Sequence, residues 1–475
     1  LLAANPEFYA LACEQGTGKT WMILADAERL WHQGAITGLL VVAPKGVHTN
    51  WIRREAPTHL SIPFDGARYI AGAGKMERES WELLMRPAPD RLTIFAVNVD
   101  ALRTKTGFNL AQKFASQHTC MIVVDESSRI KGFDSERTRR CLALGRWGDS
   151  RRILSGTMGS AGPQDLFSQY AFLHPGLLGT DSYKAFVAEY CQLLPQDSRI
   201  VQDIKKRAGS RGRFMKPQII ATDSLGRKRY KNLDKLQRLI APYTYRVKKE
   251  DCMDIPEKVF QTVYCELTQK LRAAYVAMEQ ENRYYDADGN VDTVAALASL
   301  NKLRQITSGF IFREGTPELI EEKNPRAEVL MELLSCTESP AIVWAYYQPE
   351  LTMISRMLVD AGISCVEYHG SIGDEERERA IDAFQNGEVD VFLGQPQSGG
   401  IGITLTRART VVYYSNDFSL ENRKQSEDRA HRKGTNHTVT YYDIVATDTK
   451  DERIATALQH KEEVLAKILG DDRRE

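Results

Sequence analysis

Two blocks of short, unbroken apolar runs constrain the fold of this chain more than any other feature. The first block holds FYALAC (8–13), GLLVVAP (38–44), LTIFAVN (92–98), MIVVDE (121–126) and RILSGT (152–157). The second holds AIVWAYY (341–347), SCVEYH (364–369), VDVFLG (389–394), TVVYYS (410–415) and VTYYDIV (439–445). Each run has strand length and turn residues at its ends, and a continuous rather than alternating apolar pattern is what a strand covered on both faces requires. Helical patterns lie between several of them, so the blocks read as βα units building parallel sheets. The expected fold class is therefore α/β, with two lobes of similar size. The boundaries predicted are 1–180 for the first lobe, 181–325 for helical insertions and the inter-lobe junction, 326–450 for the second lobe, and 451–475 for a C-terminal amphipathic helix. The middle stretch is mostly polar and helical in pattern, as in residues 266–285 and 294–310, with YDADGN (285–290) as a turn between them.

Composition excludes several classes. At 475 residues two or three domains are expected. A hydrophobic share of 42% and a charged share of 27% are ordinary for a globular protein, and no apolar run approaches the roughly 20 residues of a membrane span. The 8 cysteines are scattered without a CxxC pair, which predicts reduced thiols and no zinc module. Formal net charge is +0, so the overall balance gives no sign of a nucleic-acid binder. Locally, KKRAGSRGRFMK (205–216) and GRKRYK (226–231) are strongly basic. They read either as a solvated surface insertion or as a phosphate-contacting patch.

Chemistry concentrates at the ends of the runs, where open α/β sheets bind ligands. CEQGTGKT (13–20) follows a strand and opens a helix, the context of a phosphate-binding loop. Gly16 and Gly18 let backbone N–H groups approach phosphates, Lys19 neutralises them, Thr20 suits Mg²⁺, and the helix start adds its positive end. Asp125 and Glu126 end a buried strand. Asp125 would reach Mg²⁺ through water, and Glu126 would polarise the attacking water. Ser155–Thr157 close the next strand, where small hydroxyl residues would sense a γ-phosphate or bond a nucleic-acid backbone. In QSEDRAHRKG (425–434), Arg429 and Arg432 are three apart and on a helix would share a face, with planar guanidinium groups suited to phosphate.

Taken in order, CEQGTGKT, VVAPKGVHTNW, VVDESSRIKG, ILSGTMGS, GQPQSGGIGITLT and QSEDRAHRKG resemble helicase superfamily two, and within it the Swi/Snf-type ATPases. HPGLLG (174–179), YTYRVKKEDCMDIPEK (243–258) and LRQITSGF (303–310) extend the resemblance over nearly the whole chain, and FVAEYCQ (186–192) is similar to the annealing-helicase branch. The resemblance implies two tandem RecA-like lobes, with ATP and Mg²⁺ as cofactors. It assigns Gly16, Thr17, Gly18, Lys19 and Thr20 to the phosphates, and Asp125 and Glu126 to Mg²⁺ and water. Gly402 falls near the ribose, and Gln425, Arg429 and Arg432 on the arginine motif. Lys45, Ser398 and Thr404 match positions near a DNA backbone, or are ordinary loop-end residues. In the basic insertion, Arg211, Arg213 and Arg229 are candidate duplex contacts.

This chain departs from the family pattern at Ser128, where histidine is usual, and at Met158, where proline is usual. The glutamine motif that reads adenine would lie before Leu1. The expected function is DNA-stimulated ATP hydrolysis driving movement along double-stranded DNA, forked or branched DNA included, with no membrane partner and protein partners unspecified. The alternatives are a strand-separating, branch-migrating or annealing helicase and, in another class, a non-catalytic nucleotide-gated DNA-binding subunit. Lack of accessory chromatin modules points to a minimal motor of a bacterium or phage, hence to the cytoplasm of a bacterial or virus-infected cell, with the nucleus as the alternative compartment.

Overall fold

The computed structural model describes residues 7–207, 218–281, 293–337, 340–397 and 403–471. The chain divides into two compact units, one made of Leu1–Gln192, Tyr230–Asp254 and Lys461–Glu475, the other of Leu193–Arg229 and Ile255–His460.

The first unit is built on a seven-stranded sheet. Its strands are β1 (Phe8–Cys13), β2 (Gly38–Ala43), β3 (Phe64–Arg68), β4 (Leu92–Asn98), β5 (Cys120–Asp125), β6 (Ser150–Leu154) and β7 (Thr244–Val247), in the order β3-β4-β2-β5-β6-β1-β7. Every pairing is parallel. Side chains alternate between faces along a strand, and the packing follows. Ala10, Leu40, Val42, Phe95, Ile122, Val124 and Ile153 enter one core. Tyr9, Leu11, Leu39, Val41, Ile94, Met121, Val123 and Leu154 enter the other. One buried polar cluster is paired. Arg152 is wholly buried, lies 4.1 Å over the Tyr9 ring, and bonds Asp26 at 2.9 Å, while Tyr9 donates to the same carboxylate.

The second unit repeats the design with six strands, β8 (Lys258–Cys265), β11 (Ala341–Trp344), β12 (Cys365–Tyr368), β13 (Val391–Gly394), β14 (Thr410–Tyr413) and β15 (Val439–Ala446), ordered β12-β13-β11-β14-β15-β8 and all parallel. A separate antiparallel pair joins β9 (Phe310–Arg313) to β10 (Thr316–Leu319). Val343, Leu393, Val412 and Ile444 face one core, and Ile342, Trp344, Phe392, Val411 and Tyr441 the other. Both sheets and their covering helices match the two-lobe α/β reading.

The stretch 181–325 is not purely helical. It supplies β7 to the first sheet and β8 to the second, as edge strands whose exposed residues interrupt any apolar run. The compact units divide the chain after residues 192, 229, 254 and 460. The helix at the end of the chain, Lys450–Leu469, has close to the extent that its pattern predicts. The YDADGN turn lies outside the described residues. Among the described residues no helix is long and apolar enough to cross a membrane.

Candidate nucleotide site

Because the first sheet is parallel, the loops leaving its strands share one edge. Along that edge Lys45 follows β2, Asp125 ends β5, Ser155 follows β6, and the glycine-rich loop follows β1. Leu154 of β6 pairs with Asp125 on one side and Leu11 on the other. At about 4.8 Å between neighbouring strands, the acidic strand end and the P-loop strand are about 10 Å apart, with Ser155–Thr157 between them.

The P-loop geometry follows from its glycines. Gly16 and Gly18 both have φ +83, the left-handed region that suits glycine, and a Cβ on either would meet nothing within 4 Å. Gly18 caps the helix Lys19–His32, so the first-turn N–H groups of Lys19 and its neighbours face the loop. The Lys19 ammonium donates to the carbonyls of Cys13 and Glu14, each at 2.9 Å, and Thr17 Oγ1 donates to Glu14 O at 2.8 Å. Thr20 sits in the first turn of that helix. Gly156 backs the loop: a Cβ there would stand 3.4 Å from Cys13 O and 3.6 Å from Gln15 N. The P-loop base is tied to β7 as well, since Arg246 donates to Ala12 O at 2.9 Å and pairs with Glu14 and Asp471.

Asp125 is buried, and both carboxylate oxygens are engaged. Oδ2 accepts from Trp51 Nε1 at 2.9 Å and Oδ1 from the Glu126 amide at 2.9 Å. Burial pushes its carboxyl above the usual range, against the pull of the Trp51 bond, the Lys19 charge and the Glu126 N–H. Glu126 has φ 50 and ψ 58, a left-handed conformation that costs a non-glycine residue about 1–2 kcal/mol. Ser155 Oγ accepts from Thr157 N at 3.1 Å, which shapes the turn after β6. Among the described residues no group of three or more His, Cys, Asp or Glu could hold a metal ion. One carboxylate with one hydroxyl nevertheless fits Mg²⁺, which is commonly held by one or two carboxylates together with substrate phosphates.

In the second unit the arginine motif lies on the helix Leu420–Ala430 and just beyond it. Gln425, Glu427 and Arg429 are buried. The helix ends at Ala430 and His431 leaves helical geometry, so Arg429 and Arg432 do not share a helical face as their spacing predicts. His431 bonds Pro256 O at 2.6 Å, which holds the chain at this exit. Partly exposed Arg432 donates to Thr404 Oγ1 at 3.0 Å and Ile403 O at 3.3 Å, which brings a predicted phosphate-facing arginine against a predicted DNA-side threonine. Around the helix, Arg423 lies 3.6 Å over the Tyr413 ring and bonds Asp443 and Glu427, and Lys258 bonds Glu427 at 3.1 Å. Burial alone would raise the Glu427 pKa, but Lys258, Lys424 and Arg423 outweigh it and hold the carboxyl well below the usual range. Lys45 and Arg229 are exposed. Gly402, Ser398, Arg211 and Arg213 lie outside the described residues.

Comparison with known families settles what this arrangement belongs to. Residues 9–310 match the SNF2-related domain, and residues 325–434 match the helicase conserved C-terminal domain. The chain belongs to the SNF2-related family. YwqA of Bacillus subtilis is 24% identical over 97% of this chain and 46% of its own length. The DNA repair and recombination protein RAD26 of Saccharomyces cerevisiae is 24% identical over 97% of this chain and 45% of its own. The chain thus spans less than half the length of either relative. The Sulfolobus solfataricus SWI2/SNF2 ATPase core in complex with dsDNA is 22% identical, with 98% of this chain and 89% of that chain covered and a TM-score of 0.39.

Within this SNF2-related frame, the first unit brings Gly16, Thr17, Gly18, Lys19, Thr20, Asp125 and Glu126 to one sheet edge. Sequence reasoning missed two side chains that hold them. Trp51 was legible only as a tryptophan in an otherwise polar stretch after β2. Gln169 was legible as an amide within the apolar helix Leu166–Leu173, where it accepts from Ser127 at 2.7 Å.

Proposed function

We propose that this SNF2-related chain is an ATP-dependent motor that moves along double-stranded DNA. The observation that carries the reading is the shared edge of β1, β6 and β5, where an open P-loop, a hydroxyl-bearing turn and an acidic strand end follow one another. The backbone N–H groups after Gly16 and Gly18 receive the β- and γ-phosphates of ATP, and Lys19 turns from its loop carbonyls to them. Thr20 and Asp125 would hold Mg²⁺, which supplies charge neutralisation at the phosphate oxygens. Glu126 orients and polarises the attacking water. Gln425, Arg429 and Arg432 belong to the same cycle, with Arg432, the more exposed arginine, stabilising charge on the transferring phosphoryl group. Gly402 serves the ribose side.

Duplex DNA, forked or branched forms included, is the proposed track. Lys45, Ser398 and Thr404 contact its backbone, and Arg211, Arg213 and Arg229 add contacts from the insertion. Such contacts make binding sequence-independent and salt-sensitive. The exposure of Lys45 and Arg229 supports this part of the reading. The bacterial or phage cytoplasm remains the proposed compartment. The test is one ATPase titration across single-stranded, duplex and forked DNA and RNA. Turnover should rise severalfold with duplex and stay low with RNA. Equal stimulation by RNA alone would overturn the substrate assignment.

A further inference from the structure

The helix Leu166–Leu173 is apolar on nearly every face, with Leu166, Tyr170 and Leu173 fully buried in the first core. In its middle stands Gln169, also fully buried. A buried amide is tolerated only when its hydrogen bonds are made, and this one makes three. Nε2 donates to Met158 O at 2.6 Å and to Asp165 O at 2.7 Å, and Oε1 accepts from Ser127 Oγ at 2.7 Å. Both donors are used, and no other orientation of the amide could serve two carbonyls and one hydroxyl.

The two outer partners matter by position. Ser127 follows Glu126, whose left-handed backbone would relax without restraint. Met158 follows the Ser155–Thr157 turn, which lies against the P-loop through Gly156. Nearby, Lys131 Nζ bonds Ser160 at 3.3 Å and pairs with Asp165 at 3.8 Å, so the two segments are also tied further along.

We propose that Gln169 is a positioning residue that bridges the Glu126 loop to the turn after β6, so that the two loops adopt their geometry together. The inference rests on the ATPase reading for its effect on rate, but the bridge itself can be measured without turnover. Losing the bridge frees Glu126 to leave its left-handed conformation, which misplaces a water-orienting carboxylate and lowers kcat. The phosphate-binding loop keeps its own bonds, so nucleotide affinity stays.

The test compares Ser127→Ala, Gln169→Leu and their double variant in the full chain. Three readouts are needed: ATP turnover with saturating duplex DNA, affinity for a fluorescent ADP, and hydrogen exchange over residues 121–131 and 155–161. Each single variant should lose roughly tenfold in kcat, with ADP affinity within about twofold. The double variant should lose no more than the worse single one, because both remove the same link. Exchange should rise in both segments in either single variant. Unchanged kcat, multiplying losses, or exchange confined to the substituted segment would overturn the proposal. If Gln169→Leu fails to fold, Ser127→Ala, which deletes one hydroxyl, decides by the same criteria. If wild type and Lys19→Ala both show no turnover, the ATPase reading fails, and the exchange pattern alone decides the bridge.

Discussion

The P-loop of the first unit and the arginine-motif helix of the second handle polar residues in opposite ways. Gly16 and Gly18 are exposed, Lys19 and Thr20 are half-buried, and their backbone is shaped by left-handed glycines with open space around them. On the helix Leu420–Ala430, Gln425, Ser426, Glu427 and Arg429 are buried, and Arg423 is bound to a ring and two carboxylates. One segment leaves its polar side chains part-exposed, with Thr17 and Lys19 bonded to carbonyls of their own loop. The other commits most of its polar groups to its own unit and leaves Arg432, past the helix end, partly exposed. A motif residue can thus be indispensable for two different reasons, and the substitutions below separate them.

Apart from that at Arg432, the largest expected effect is on rate alone. Lys19→Ala should lower ATP turnover by about 10²- to 10³-fold or more, while the thermal midpoint moves far less than for a core truncation, since the half-buried Lys19 side chain bonds carbonyls of its own loop. A large drop in the midpoint would show that the P-loop, too, is structural. Glu427→Ala should do the reverse. It leaves Arg423 and Lys258 without their shared carboxylate, and breaking a buried pair from one side costs about 3–5 kcal/mol. Unfolding of the second unit reads it, with ADP affinity unchanged.

The acid side sharpens the same contrast. The Glu427 carboxyl is depressed in the folded state, so its contribution is complete above the ordinary glutamate value near about 4.3 and is lost as pH falls below that. The thermal midpoint of the second unit should therefore fall steeply below about pH 4, and Glu427→Gln should flatten that limb. A parallel limb in both proteins would remove Glu427 from the account.

What was legible follows from the same physics. β1, β2, β4, β5 and β6 were readable because both faces are covered and the runs are unbroken. β3, with FDGAR, and β7, with TYRV, were not, because edge strands carry exposed and charged residues. The P-loop was readable because its spacing and its strand–helix context are local. Trp51 with Asp125 and Ser127 with Gln169 are hydrogen bonds across 74 and 42 residues, which no local pattern records. The helix end at Ala430 was hidden as well, since the exit at His431 depends on a carbonyl at Pro256.

The smallest of these effects is expected at Trp51. Trp51→Phe keeps an aromatic ring in the core and deletes the N–H that holds Asp125 Oδ2. An unpaired buried acceptor costs about 1–3 kcal/mol, visible as a lower midpoint of the first unit. No change there would mean that the contact does not position the acidic strand end.

The central claim is that Arg432 takes part in the proposed hydrolysis. Steady-state ATP turnover with saturating duplex DNA, measured in Arg432→Ala alongside its affinity for a fluorescent ADP, tests it most directly. An arginine acting on the transferring phosphoryl group is worth about 10³- to 10⁵-fold. The account predicts a loss of that order with ADP affinity kept, whereas turnover close to wild type would contradict it.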